Sequence, residues 1–161
     1  MALATRDIMT APVTTVGPDM SLLELENTLR TGKIGGAPVV ADGKLVGMVA
    51  RSDIIRQLAV EDTYAEFAYD LFEQVYGLQE HRAEDVGQQV GERLTALRVK
   101  DAMVAAVDTI GPDTDVKTLA ATMLSHHHRR MVVTDASNSI LGIVTASDLV
   151  RLVADGVLGE T

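Results

Sequence analysis

The sequence predicts an α/β chain of the α+β kind: two β-α-β-β-α repeats packed sheet to sheet with pseudo-twofold symmetry, and a helical insert between them. Three observations lead there. The chain nearly repeats itself at a spacing of 94 to 95 residues. Within each copy, short apolar runs bounded by turn residues alternate with amphipathic stretches of helical spacing. The segment between the copies matches neither. With 161 residues and 47% apolar content, two such copies together can bury a working core, whereas one fifty-residue unit alone is marginal.

The repeat is read directly. "RDIMTAPVTTVGPDMSLLELENTL" (residues 6–29) lies over "KDAMVAAVDTIGPDTDVKTLAATM" (100–123). Asp7/Asp101, Met9/Met103, Val13/Val107, Thr15/Thr109, Leu25/Leu119 and Gly17-Pro18-Asp19/Gly111-Pro112-Asp113 are identical pairs. One extra residue in the second copy's turn moves the shift to 95, and "GMVARSD" (47–53) then meets "GIVTASD" (142–148). A repeat of this completeness organises everything else.

Each element follows in order. "VTTV" and "VDTI" are short first strands, and Gly-Pro-Asp is a turn. Ser21 with Glu24 has capping-box spacing, and Asp115 is the matching N-cap. The helices carry Leu22, Leu25 and Leu29, or Val116, Leu119 and Met123, on one face. Two strands follow around "ADGK" or "DASNS". A closing helix is expected from Ser52-Asp53 in one copy and from Ser147-Asp148 in the other. In the insert, Phe67, Leu71, Val75 and Leu78 form a helical stripe, Gly77 and Gly87 are breakers, and a second helix is expected over Val90 to Leu97. The boundaries are 1–58 for the first repeat, 59–99 for the insert and 100–161 for the second repeat.

Composition excludes several classes. The net charge is −9, which argues against nucleic acid or an anionic membrane as partner. Nine acids against three arginines between Gln57 and Arg98 concentrate −6 of that charge in the insert. There is no cysteine, so thiol chemistry is excluded and a reducing compartment fits. No apolar run approaches the ~20 residues of a membrane span, and the N-terminus lacks a signal-peptide core. The expected location is the cytoplasm. No phosphate-binding P-loop, no G-x-S-x-G and no cysteine nucleophile are present, so the chain is not expected to be an enzyme. The run His126-His127-His128 suggests metal, but successive residues of a regular helix point about 100° apart. No metal site is expected.

The paired units, the "DIM" and "DAM" openings, "PVV…D" and the two closings resemble tandem cystathionine-β-synthase (CBS) domains, a Bateman module. The resemblance covers residues 6–58 and 100–153. It implies a regulatory module that binds adenine nucleotides or S-adenosylmethionine in clefts between the copies and assembles as a homodimer. Carried over, one cleft combines Arg129, Arg130, Thr145, Ser147 and Asp148 with Thr15, Ile34 and Gly35. The other combines Ser52 and Asp53 with Thr109 and His128, the last as a wall against a nucleobase. In the first cleft Asp148 accepts from a ribose diol and the arginines hold phosphate, each such bond worth about 1.5–3 kcal/mol. Plain structural roles stand beside these: an N-cap for Ser or Asp, and a cationic helix C-terminus for the arginines. The second cleft is weaker, with Ala50 for threonine and Gly35-Gly36 for the arginines; Arg51 is a possible offset. Two arginines favour AMP, ADP or ATP over S-adenosylmethionine. No cofactor is required, and an unidentified protein effector is implied. The alternative is a ligand-independent dimerisation scaffold whose output is the acidic insert.

Overall fold

The structure is a computed structural model and describes residues 3–59 and 82–157. These form two compact units that cut across the sequence copies. One comprises 15–40, 47–59 and 82–105; the other comprises 3–14, 41–46 and 106–157. The apolar stripe at Phe67, Leu71, Val75 and Leu78 lies outside the described residues.

In the unit of the first copy, α1 (Leu22–Thr31) opens with the expected capping box: the Ser21 amide donates to Glu24 Oε2 at 3.0 Å and the Glu24 amide to Ser21 Oγ at 3.2 Å. Its stripe Leu22, Leu25 and Leu29 is fully buried. Strands β1 (Gly36–Ala41) and β2 (Lys44–Ala50) pair around Asp42 and Gly43, both in the left-handed region that such a tight turn needs. A helix over 51–59, α2, closes the copy. Helix α3 (Arg82–Ala96) packs on α1. It runs through Gly87, which therefore does not break it, and begins eight residues before the expected Val90. A glycine in a helix costs about 1 kcal/mol relative to alanine, which the rest of the helix absorbs. A short α4 (Val99–Ala102) follows.

The second copy repeats the plan. Its sheet has the order β3 (Thr109–Ile110), β4 (Arg130–Thr134), β5 (Ile140–Thr145), with β3 parallel to β4 and β4 antiparallel to β5. Helix α5 (Val116–Ser125) is capped by Asp115, which accepts from the amides of Lys117 and Thr118. Its face Val116, Leu119 and Met123 is buried, and Leu119 and Met123 join Met131, Val133 and Val144 in one core. Helix α6 (Ala146–Ala154) closes the chain's second copy. The first strands are shorter than their apolar runs suggest: Val16 makes a single parallel bridge to Val39, and only Thr109–Ile110 pair in the second copy.

Both closing helices start one residue or more earlier than Ser52 and Ser147. The amide of Ala50 donates to Asp53 Oδ2 and that of Thr145 to Asp148 Oδ2, each at 2.8 Å. The aspartates sit at the third helical position and reach back, so they cap the helix without opening it.

The unforeseen feature is where the leaders go. Residues 3–10, which open the first copy, pack on the second copy, and 98–104, which lead into the second, pack on the first. The Thr5 amide and hydroxyl both donate to the Thr114 carbonyl at 2.8 Å, and the Val99 amide donates to the Met20 carbonyl at 2.8 Å. Thr10 bridges Ile143, and Val104 bridges Met48. Arg6 pairs with Asp113, and Lys100 with Asp19. Each leader lays its methionine on a glycine. A Cβ at Gly142 would stand 2.5 Å from Met9 Sδ, and one at Gly47 would stand 2.7 Å from Met103 Sδ. The first residue of "GIVTASD" and "GMVARSD" is glycine because a methionine occupies the space of its side chain.

Candidate functional site

The residues predicted to bind phosphate and ribose in the second copy gather where β5 passes into α6. Arg130 stands opposite Thr145 across the β4–β5 pair. The Ala146 amide, first in α6, donates to the Arg129 carbonyl at 2.9 Å. The backbone of the two arginines is thereby fixed beside the N-terminus of α6, whose dipole favours an anion. Arg129 and Ser147 are exposed, and Arg130 and Thr145 are half-buried.

Asp148 is engaged within the fold. Its Oδ2 accepts from both the amide and the hydroxyl of Thr145, at 2.8 and 2.7 Å. Its Oδ1 lies 3.6 Å from Arg151 Nη1. The carboxylate is thus a working cap, and Oδ1 is the oxygen with less claim upon it. Thr145 likewise spends its hydroxyl proton on Asp148.

The first copy has the same frame with other side chains. The Arg51 amide donates to the Gly35 carbonyl at 3.2 Å, the counterpart of Ala146 and Arg129. Asp53 is buried; it takes the Ala50 amide on Oδ2 and Arg56 Nη1 on Oδ1 at 2.9 Å. Ala50 offers no hydroxyl, and Gly35 and Gly36 carry no cation. Arg51, the residue expected as an offset, lies with its Nε 3.4 Å from Glu26 Oε2 on α1. Ser52, Thr15 and Gly35 are exposed in this unit, and Ile34 is half-buried. Thr109 and His128 belong to the other unit, where Thr109 begins β3.

The histidine run is not a regular helix. Helix α5 ends at Ser125, and His127 takes a left-handed φ of 56°. That reversal brings His126 and His128 to the same side. His126 Nδ1 and His128 Nε2 each lie 2.8 Å from Asp108 Oδ2. The hydrogen bond from His128, and then that from His126, hold the Asp108 carboxyl below the usual carboxylate range. His128 is thus engaged with Asp108, and the spacing rule that excluded a shared ligand does not apply. No local periodicity signals such a turn; the hint in the sequence was only that three histidines meet the end of an amphipathic stretch.

Two segments, residues 5–60 and 99–155, match the model of the CBS domain. The chain belongs to the CBS domain family. It is a tandem CBS-domain protein, with the two repeats of the fold described above. A relative in Methanocaldococcus jannaschii, the uncharacterized protein MJ1426, is 30% identical over 149 residues, which cover 91% of this chain and 88% of that one. The solved CBS domain pair of protein MJ0100, in complex with 5′-methylthioadenosine and S-adenosyl-L-methionine, superposes with a TM-score of 0.71 at 23% identity, covering 96% of this chain and 98% of that one. The structure of CBSX2 in complex with AMP has a TM-score of 0.66 at 24% identity, with coverage of 94% and 96%. At these identities the two CBS pairs share the fold. Among the described residues, no helix is long and apolar enough to cross a membrane.

Proposed function

We propose that this CBS pair is a regulatory module for adenine nucleotides, of the AMP, ADP or ATP class, and acts without catalysis. The observation that carries the reading is the corner at the start of α6, where the backbone of Arg129 and Arg130 is fixed beside a helix N-terminus. A phosphate there meets two guanidiniums and the positive end of a helix. A sulfonium ligand gains nothing from that charge, so S-adenosylmethionine ranks below the nucleotides. That related pairs have been solved with AMP and with S-adenosylmethionine supports an adenosine ligand. A ligand that favours one conformation over another shifts the balance only by its differential affinity, and an effector protein, as yet unidentified, would read that shift.

Calorimetric titration with AMP, ADP, ATP and S-adenosylmethionine tests this. Micromolar binding of a nucleotide that weakens in Arg130→Ala supports it; no response to any adenosine compound refutes it.

A second reading, a dimerisation scaffold, has its own observation. Val150 and Val153 on α6 are 66% and 67% exposed, and Ile55 on α2 is 64% exposed. In each unit the closing helix offers apolar surface of the kind that mediates association. We propose a homodimer formed through these helices, compatible with either output. Sedimentation of the parent against Val150→Glu/Val153→Glu tests it: a monomer in the variant and a dimer in the parent is expected, and a parent that is monomeric refutes it.

A further inference from the structure

We propose that Asp108, His126 and His128 form a binding site for a divalent transition metal of the Zn²⁺ class. The three side chains offer two imidazole nitrogens and one carboxylate oxygen, all within 4.8 Å of one another. The rings meet edge to face, with centroids 5.6 Å apart. In a tetrahedral site with zinc–nitrogen bonds of about 2.0–2.1 Å, neighbouring ligand atoms stand ~3.3 Å apart. To admit an ion, the 2.8 Å separations of each nitrogen from Asp108 Oδ2 open by about half an ångström, and the two nitrogens, within 4.8 Å of each other, settle to about the same ~3.3 Å. Side chains that keep 50%, 36% and 52% of their exposure (His126, His128 and Asp108) have room for that adjustment.

The backbone beneath the cluster is fixed. The amides of His126, His127 and His128 donate in turn to the carbonyls of Thr122, Leu124 and Met123, at 3.1, 3.2 and 2.8 Å. Asp108 directly precedes β3, whose Thr109 is in register with Val132 of β4. Such support holds ligands in place before the ion arrives.

The first copy supplies the control. Its α1 ends in the same turn: Lys33 has φ 52°, and the amides of Gly32, Lys33 and Ile34 donate to Thr28, Arg30 and Leu29 at 3.0, 3.2 and 3.0 Å. The positions that correspond to the three ligands hold Gly32, Ile34 and Thr14. The turn is thus a requirement of the fold, and the three metal-binding side chains are not. Stability does not explain them either, because hydrogen-bonded ion pairs as exposed as these contribute little.

The donor set selects the metal. Imidazole nitrogens with one carboxylate suit Zn²⁺, Co²⁺, Ni²⁺ or Cu²⁺, whereas Mg²⁺ and Ca²⁺ require more oxygens. Three protein ligands leave at least one position for water or an anionic ligand. Arg129 and Arg130 follow directly in the chain and oppose a bare dication, which Asp108 neutralises in part.

Chelator-stripped protein titrated with Co²⁺ at neutral pH, read by visible absorption and then by displacement with Zn²⁺, tests the assignment. One saturable equivalent per chain is expected. His126→Ala, His128→Ala and Asp108→Asn should each weaken binding more than ~100-fold, beyond the 10–100-fold typical of outer-shell groups. His127→Asn, which tolerates the left-handed turn, should bind as the parent does. Circular dichroism confirms that the variants fold, as their exposure predicts. Absence of a saturable equivalent, or binding retained without either His126 or His128, overturns the proposal.

Discussion

The two CBS repeats share a frame and differ in what they hang on it. In both, the first amide of the closing helix donates to the loop carbonyl before the central strand, and an aspartate at the third helical position reaches back to cap. On this common frame the second copy carries Arg129, Arg130, Thr145 and the Asp108–His126–His128 cluster. The first carries Gly35, Gly36, Ala50 and Thr14, Gly32, Ile34 at the same places. What is alike in the copies is the fold; what is unlike is the set of cationic, hydroxyl and imidazole side chains at these positions, which the second copy carries.

The sharpest way to break this contrast is by binding. Arg130→Ala should reduce nucleotide affinity about 10- to 150-fold, the equivalent of one charge-assisted hydrogen bond, while Ser52→Ala should change it less than about threefold. Calorimetry decides; equal losses would mean that both copies bind. Next in size are the glycines. Gly142→Ala and Gly47→Ala force a methyl group into space that Met9 and Met103 occupy, and each should destabilise by about 1–3 kcal/mol in denaturant titration. Loss at both positions marks the glycine as a fold device in both copies; loss at one alone would show that the leaders are not equivalent.

Smaller effects concern the caps. Thr145→Ala removes the hydroxyl that the first copy already lacks and should cost about 1 kcal/mol or less, and Ala50→Thr should gain up to a similar amount. Thermal melts of the two variants sharpen the contrast if the signs are opposite.

Least in size is the pH dependence. A hydrogen bond from Lys100 holds Asp19 below the usual carboxylate range, the Ser21 amide does so for Glu24, and Ser137 does so for Asp135. For carboxyls lowered on folding, the contribution is fully present above their unfolded values, about 3.9 for Asp and 4.3 for Glu, and is lost as pH falls through the folded values. Urea unfolding should therefore change little from pH 7 to 5 and shift to lower urea below about pH 4. Stability that rises on acidification would contradict the assignment.

Much of this was legible in the sequence because it is local. Leu22, Leu25 and Leu29 lie at helical spacing and are buried; Ser21 with Glu24 and Asp115 cap where their spacing says. Asp148 and Asp53 were legible as helix-start residues but not by position, since an N-cap and a third-position cap draw on the same side chain. The convergence of His126 and His128 turned on a single backbone reversal at His127 that no periodicity encodes. The docking of the leaders depends on contacts across about a hundred residues, such as Thr5 with Thr114, which local pattern does not carry. Yet a trace was present: Met9/Met103 and Gly47/Gly142 are identical pairs, and each methionine rests on the glycine of the other copy.

That crossing of the leaders gives the chain the connectivity of a domain-swapped oligomer written as one polymer. A half-length chain would carry a methionine whose matching glycine lies on a second molecule. It would complete its fold as this chain does only by exchange between molecules, at a cost that depends on concentration. Joining the copies converts that encounter into loop closure, whose cost grows only slowly with length. Residues 61–98, between the two matched segments, join the copies covalently.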